Sequence, residues 1–421
     1  MKSLVTTLIV LLFVAINGTD AFGQNAKMQN FRPQDQDGIN VFESPKDDVP
    51  FNGVAVKIGG SNTLQFQSLT ASNSPDPNAE LDPLLDLGSN FNLATSNLDL
   101  DVALADGVQM HLRTYLSSRH HPEPYVKGGY LKIDDFGFIS ESLAEPLKDI
   151  TVKVGHMETN YGDNHFRRSD NGQAIFNPFV GNYIMDSFTT EVGGEVYYRS
   201  NGVIVMVGAT NTKLNQSTVK TNPKTKPAIV AKVGYDKQLN EDTRVRITGS
   251  IYTVSQAART YLYAGDRAGA RYYNVVATST DDFRTGRFDP GFRNELTAIM
   301  VNPFVKFMGF EFYGVFENSS GKAASETDTR TFNQYGAEAL YRVGEEENFY
   351  LGGRYNLVKG KTSANEDVEI NRINVGGGWF LTKNILAKLE YVKQQYKGFN
   401  PASIYAGAEF SGVALEAVVS F

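Results

Sequence analysis

The chain has 421 residues, no cysteine and a formal net charge of −7. The lack of cysteine excludes disulfide scaffolds, thiolate zinc sites and thiol nucleophiles. The 47 acidic side chains against 40 Lys and Arg give no basic stripe, so we expect no nucleic-acid partner. Aromatic residues at 12% and 39 glycines favour a sheet-rich protein.

The first 23 residues are typical of a secretory signal peptide. Lys2 supplies the short positive region, and residues 4–16 form an apolar run too short for a stable membrane-spanning helix. Small residues at Ala21 and Gly23 suit signal peptidase, which predicts Gln24 as the first residue of the mature chain. A single N-terminal membrane anchor is the alternative. No later segment is apolar over the ~18 residues that a membrane helix needs.

Residues 24–52 are polar, rich in Asp, Gln and Pro, and without a sustained period, which predicts a periplasmic lead-in. From residue 53 to residue 421 the chain shows period-2 alternation in segments separated by Gly, Asn, Asp, Pro and Ser clusters. The clearest segment places Val413, Leu415, Ala417, Val419 and Phe421 on one face, with Glu416 on the other. Such a strand has an apolar environment on one side and a polar one on the other.

About sixteen such segments follow one another, and an even number suits a closed antiparallel barrel. Connections after odd-numbered segments are mostly long, and those after even-numbered segments are mostly tight, as at Asn302-Pro303. The exception is 137–149. The segments lie near 53–68, 90–105, 107–118, 125–136, 150–158, 191–200, 202–211, 227–238, 242–254, 292–302, 304–318, 331–343, 348–359, 370–381, 384–396 and 404–421. The pattern predicts an all-β fold, a transmembrane antiparallel up-and-down β-barrel over 53–421.

A soluble β-sandwich or propeller is the competing architecture, but it requires neither the loop-length rule nor aromatic residues at strand ends. Aromatic side chains on the apolar faces match the interfacial girdles of membrane barrels. They are Tyr198, Tyr235, Phe310, Phe349, Tyr355, Trp379 and Tyr391. The register also predicts that arginine at Leu389 or Ala417 would lie in hydrocarbon, whereas arginine at Glu390 would be tolerated.

The terminal strand ending in Phe421 resembles the C-terminal signature of Gram-negative outer-membrane porins. Ala21-Phe22-Gly23-Gln24 is similar to the signal ends of Bacteroidetes secreted proteins, and Lys153-Val154-Gly155 before a long loop is similar to phosphate-selective porins. The resemblance implies an outer-membrane channel for passive diffusion of small polar solutes or ions, with outer-membrane lipid around it. It also implies a homotrimer.

Strand parity and the long loops give candidate pore-lining and constriction residues. They are Arg113, Lys153, Asp163, Arg167, Arg168, Glu195, Lys232, Arg244, Arg246, Arg354 and Arg372. Acidic and basic groups in opposing patches would set up a transverse field, whereas intimate pairs would only line the barrel, and both interpretations stay open.

Two long loops are candidates for narrowing the channel. In general porins the loop that corresponds to 159–190 folds inward; if it does so here, removal of Arg167 and Arg168 should shift selectivity away from anions. Loop 255–291 carries Arg259, Arg267, Arg271, Arg284 and Arg287 against Asp266, Asp281, Asp282 and Asp289. Arginine forks in this loop would bind phosphate or carboxylate, and surface solvation explains them equally well.

The sequence offers no catalytic motif. It has no G-x-S-x-G elbow, and no Ser/His pair can be picked out, so we expect a protein that is not an enzyme. His120, His121 and His165 suggest either a metal site or solvated loop residues. Because these histidines have no recognisable metal-ligand spacing, we expect no metal and no cofactor. The alternative function is a structural or surface-binding barrel with a closed lumen.

Overall fold

The computed structural model describes residues 28–47, 49–92, 94–118, 124–265, 271–280 and 284–421. The proposed signal peptide, residues 1–23, lies outside them. Within these residues the chain forms one antiparallel sheet in which each strand pairs with its neighbours in sequence. The sheet closes because the first strand pairs with the final one, from Ser61 opposite Ser420 to Ser72 opposite Glu409.

The described strands are β1 (Ala55–Ser72), β2 (Asn90–Phe91), β3 (Thr95–Ala105), β4 (Val108–Ser117), β5 (Tyr125–Ile133), β6 (Ile150–Glu158), β7 (Thr190–Ser200), β8 (Val203–Thr210), β9 (Ala228–Gln238), β10 (Thr243–Val254), β11 (Glu295–Phe307), β12 (Phe310–Lys322), β13 (Arg330–Val343), β14 (Phe349–Lys361), β15 (Asp367–Thr382), β16 (Ile385–Lys397) and β17 (Glu409–Ser420). Both β2 and β3 pair with β1, so they are two pieces of one wall strand. The described residues thus form a closed sixteen-strand barrel, and the predicted fold is confirmed.

One predicted turn is wrong. The sequence placed a tight turn at Asn302-Pro303, but β11 runs through Pro303 and turns at Met308 and Gly309. Proline lacks an N–H, and the ladder between β11 and β12 is interrupted next to it, between the pairs Val301–Phe316 and Phe304–Tyr313. The proline ring lies against Gly314, where an added Cβ would come within 2.8 Å of it. A glycine on the partner strand therefore accommodates the proline inside the sheet.

The two faces of the wall differ as the alternation predicts. Leu389 on β16 is 54% exposed on the outer face, whereas the next residue, Glu390, is 1% exposed on the inner face. Aromatic side chains expected at the interfaces are exposed on the outer face, among them Tyr198, Phe349 and Trp379. No helix in the described ranges is long and apolar enough to cross a membrane.

The two ends of the barrel carry different connections. At the short-turn end lie the tight turns 106–107, 201–202, 308–309 and 383–384, together with the longer connection 134–149, which contains the short helix α1 (Glu141–Ala144). At the long-loop end lie loops such as 159–189 and 255–294. Loop 159–189 and the described parts of 255–294 fold into the barrel, and 159–189 is buried along almost its whole length.

The segment predicted as a lead-in makes contacts that its sequence did not indicate. Residues 28–47, which we call the N-terminal strap, lie within the short-turn end of the barrel. Met28, Asn30, Asn40 and Phe42 are all buried there. The barrel interior is therefore occupied from both ends.

Candidate functional site

Loop 159–189 is fixed to the wall by a buried carboxylate. Asp163 accepts hydrogen bonds from Arg246 (Nε to Oδ2, 2.8 Å), from Lys232 (Nζ to Oδ1, 3.0 Å) and from Thr248 (2.8 Å). Burial alone would raise the pKa of Asp163, but Arg246 and Lys232 outweigh it and hold that pKa well below its usual range. The carboxylate thus stays ionised and ties the loop to β9 and β10.

A second anchor joins the same loop to the nearby strands β12 and β13. The guanidinium of Arg167 donates to Glu311 on β12 (2.5 Å) and to Glu338 on β13 (2.6 Å). Arg342 and Arg354 donate to these same two carboxylates, at 2.9 and 2.8 Å. Three guanidiniums share two carboxylates, and the cluster holds Arg167 with no free rotation.

The loop backbone is satisfied by wall side chains. The ammonium of Lys388 donates to the carbonyls of Ala174, Asn177 and Phe179 at 2.9 to 3.0 Å. Arg372 donates to the carbonyl of Asn182, and the N–H of Val180 donates to Glu390 at 2.9 Å. Buried backbone polar groups need such partners, so the inward charges of the wall stabilise the loop inside the barrel.

Two further predicted residues, Glu195 and Arg244, also have partners inside the barrel. Glu195 accepts from the N–H of Asn160 (3.0 Å), where loop 159–189 begins, and from the hydroxyl of Tyr197 (2.6 Å). Arg244 forms a two-pronged pair with Asp236 (2.8 and 2.7 Å).

A cavity of about 230 Å³ remains between the strap, loop 159–189 and the inner faces of β3 to β7. Its charged lining is mixed, with more cations than carboxylates. The cations are Arg32, Arg113, Lys127, Lys132, Lys153, Arg168 and Arg199, and the carboxylates are Glu43, Asp101, Glu158 and Asp170. The cavity thus lies against one side of the wall and not on the barrel axis.

Most of these cations have carboxylate partners. Arg113 pairs with Asp99 at 2.6 Å, and Arg168 pairs with Asp186 at 2.6 Å. Lys127 pairs with Asp170. The paired wall is therefore close to neutral over much of the cavity.

Two cavity cations differ, because no described carboxylate lies within ion-pair distance of them. The ammonium of Lys153 lies 4.2 Å from the ring centre of Tyr130. The guanidinium of Arg32 donates to the carbonyls of Gly38 and Phe166, both at 3.0 Å, and lies over the Phe176 ring at 3.7 Å. Burial lowers the pKa of Arg32 to about 9, so the group still carries its charge near neutral pH.

All eleven residues predicted from strand parity and loop position point into the barrel, but they fall into two groups. Three of them, Arg113, Lys153 and Arg168, line the cavity. The others bind loops, the strap, wall carboxylates or one another: Asp163, Arg167, Glu195, Lys232, Arg244, Arg246, Arg354 and Arg372. The role of all eleven in a pore stays a prediction.

The structure places some of the loop histidines and loop arginines singled out in the sequence, and others lie outside the described residues. His165 pairs with Glu158 (2.8 Å), while His120 and His121 lie outside the described residues. In loop 255–294, Arg271 is buried and pairs with Glu416 at 2.7 Å. Arg267, Asp266, Asp281 and Asp282 of the same loop lie outside the described residues.

Sequence reasoning missed the strap. Its cavity residues Arg32 and Glu43 lie in a polar stretch without periodicity, so strand parity could not place them. The one local signal was the pair Phe31 and Phe42, two aromatic side chains in an otherwise polar segment. Aromatic residues in a supposed linker indicate burial.

No protein-family model matches the chain, and no curated protein matches it in sequence. Solved structures match it in fold. The anion-selective porin from Comamonas acidovorans superposes with a TM-score of 0.53 at 13% identity, over 87% of this chain and 100% of the other. OmpT, an outer-membrane protein of Vibrio cholerae, gives 0.53 at 12% identity over 89% and 99%. The outer-membrane channel DcaP of Acinetobacter baumannii gives 0.50 at 12% over 88% and 98%. The chain therefore has the fold of outer-membrane porins and channels.

Proposed function

We propose that the protein is an outer-membrane porin, a channel for passive diffusion of small polar solutes or ions, and not an enzyme. The observation that carries this proposal is the charged cavity inside a closed barrel whose outer face is apolar. An apolar outer band with a polar interior is the arrangement of membrane barrels that conduct. Two structural neighbours, an anion-selective porin and an outer-membrane channel, support the same function.

The proposed channel favours anions modestly. Lys153 and Arg32 supply positive charge that no described carboxylate neutralises by direct pairing. In a narrow passage with low-dielectric walls a fixed charge acts on a passing ion more strongly than in bulk water. The Bacteroidetes type and the similarity to phosphate-selective porins stay predictions of the sequence.

A planar-bilayer recording of the purified protein tests the function. We expect stepwise ohmic conductance. In a potassium chloride gradient, we expect a reversal potential whose sign shows that chloride permeates more readily than potassium. At low salt, Lys153→Gln should shift the reversal potential in the direction of cation selectivity. Lys359→Gln is the matched control, because Lys359 lies on the exposed outer face of β14. An unchanged reversal potential in Lys153→Gln would refute the role of Lys153, and a cation-selective wild type would refute the anion preference while leaving the channel in place.

A barrel with a closed lumen is the second candidate function. The observation that favours it is the filling of the interior by loops 159–189 and 255–294 and by the strap. Repeated electrical silence at high protein concentration would support this candidate and refute the open channel.

Two further expectations complete the proposal. A cleaved signal peptide of residues 1–23 would export the chain, and the mature protein would lie in outer-membrane lipid as a homotrimer. The mass of the mature chain tests the cleavage after Gly23. Chemical cross-linking in native membranes tests the trimer, which a purely monomeric pattern would refute.

A further inference from the structure

The N-terminal strap crosses the short-turn mouth of the barrel and returns. It starts beside the β3–β4 turn, where Gln29 donates to Asp106 (2.7 Å). At its far point the N–H of Gln36 donates to the carbonyl of Lys383 (2.9 Å), and the Gln36 amide donates to the carbonyl of Glu346 (2.7 Å). These contacts lie at the β15–β16 and β13–β14 turns, four and six strands around the sixteen-strand ring from the β3–β4 turn. The strap therefore bridges the opening.

The returning half of the strap is held by the inner wall. Asn40 donates to Glu311 on β12 (2.7 Å) and accepts from Arg167 of loop 159–189. The ring of Phe42, 2% exposed, packs edge-on against Phe304 (5.4 Å) and Phe166 (5.7 Å). Apolar and polar contacts both hold the strap, so it is an integral part of the barrel interior.

The strap and the inward loop share the same cation. Arg246 donates to Glu43 of the strap (2.7 Å) and to Asp163 of the loop (2.8 Å). Burial opposes ionisation of Glu43, but Arg246 and Lys232 outweigh it and lower the pKa of Glu43 to about 2. The strap therefore keeps a charged anchor on the element that also holds the loop.

Resting on the proposed channel function, we propose that the strap is a plug built into the chain. It covers part of the short-turn mouth, and it brings Arg32 into the cavity as one of the two lining cations that no described carboxylate pairs with. Seating of the strap then limits conductance, and Arg32 contributes to the ion preference. Displacement of the strap would widen the passage and weaken the positive charge in it.

The test uses the full-length chain with its strap loosened. Asn40→Ala with Glu43→Gln removes two anchors and leaves Arg246 paired with Asp163 and Asp236. We expect a severalfold rise in single-channel conductance. Glu347→Gln is the matched control, since this carboxylate lies at the same mouth, pairs with Lys306 (2.7 Å) and makes no hydrogen bond or ion pair with the described strap residues.

Because the chain has no cysteine, an engineered disulfide can fix the strap reversibly. Gln36→Cys and Lys383→Cys are added to the loosened variant, at two positions where the backbone nitrogen of residue 36 lies 2.9 Å from the carbonyl oxygen of residue 383. Oxidation should return the conductance to the wild-type level, and a reductant should raise it again. Failure of the two thiols to cross-link would refute the seating of the strap.

The outcomes separate the plug from the channel. A conducting wild type with an unchanged loosened variant refutes the plug alone. Silence in every variant refutes both proposals. A silent wild type with a conducting loosened variant supports the plug and shows the barrel to be a channel that its own strap closes. Arg32→Gln should reduce the anion preference, and an unaltered reversal potential would refute the role of Arg32.

Discussion

The Arg246→Met substitution tests whether the inward loop and the strap depend on one buried guanidinium. Arg246 donates to Asp163, Glu43 and Asp236 at 2.7 to 2.9 Å. Without it, three carboxylates face only Lys232 and Arg244. Two unit charges about 4 Å apart interact by about 4 kcal/mol at an effective dielectric constant of 20. Removing one partner from a buried pair costs about 3–5 kcal/mol, and we expect a loss of stability of that size.

The assay is urea unfolding of the protein in detergent, followed by fluorescence of its single tryptophan, Trp379, on the outer face of β15. Adding Asp163→Asn to Arg246→Met restores the charge balance, so the double variant should lose less than the sum of the single losses. Arg293→Met is the matched control. The side chain of Arg293 is one-third exposed, and its ion pair with Asp289 should stabilise the protein by only about 0–1 kcal/mol. Equal losses for Arg246→Met and Arg293→Met would refute the reasoning.

Three further outcomes are expected. Leu389→Arg should cost about 2–4 kcal/mol at mid-depth and impair assembly in a gel-shift assay, and normal assembly would contradict the register. Because the pKa of Glu43 is lowered to about 2, below the ~4.3 of an unfolded glutamate, its stabilisation should be complete above ~4.3 and lost as the pH falls towards 2. The stability difference between wild type and Glu43→Gln measures this loss, and a pH-independent difference would contradict it. Arg168→Gln should weaken the anion preference, and the effect should be smaller at high salt than at low salt because salt screens the charge. Reversal potentials measured at both salt concentrations test this.

The wall could be predicted from the sequence because its signal is local. In β17 the alternation of Leu415 and Glu416 reports directly which face each residue takes, since neighbours in a strand point to opposite sides. The turn at Asn302-Pro303 was misplaced because proline usually ends a strand, and only the partner Gly314 explains its place inside one.

The interior could not be predicted in the same way. Parity places Glu390 on the inner face, but it does not show that Tyr272 (2.5 Å) and Val180 (2.9 Å) donate to it there. Tolerance of arginine at Glu390 stays a prediction, but the site is 1% exposed and an arginine there could not accept the hydrogen bonds from Tyr272 and Val180. The strap is a stronger example, because Asn40 meets a partner 271 residues away. No local pattern encodes such a contact.

The seam of the barrel sets the order in which the protein can be completed. Gly60 and Phe421 exchange both backbone hydrogen bonds at 3.0 Å, and Ser61 meets Ser420 across 359 residues of sequence. A pairing of such long range is slow to form, because the entropy of closing the intervening chain has to be overcome first. Until β17 arrives, β1 is an open edge with unpaired backbone groups, the kind of surface that recruits other chains. Assembly of this barrel therefore depends on protecting β1 for the whole time that the remaining wall is being built.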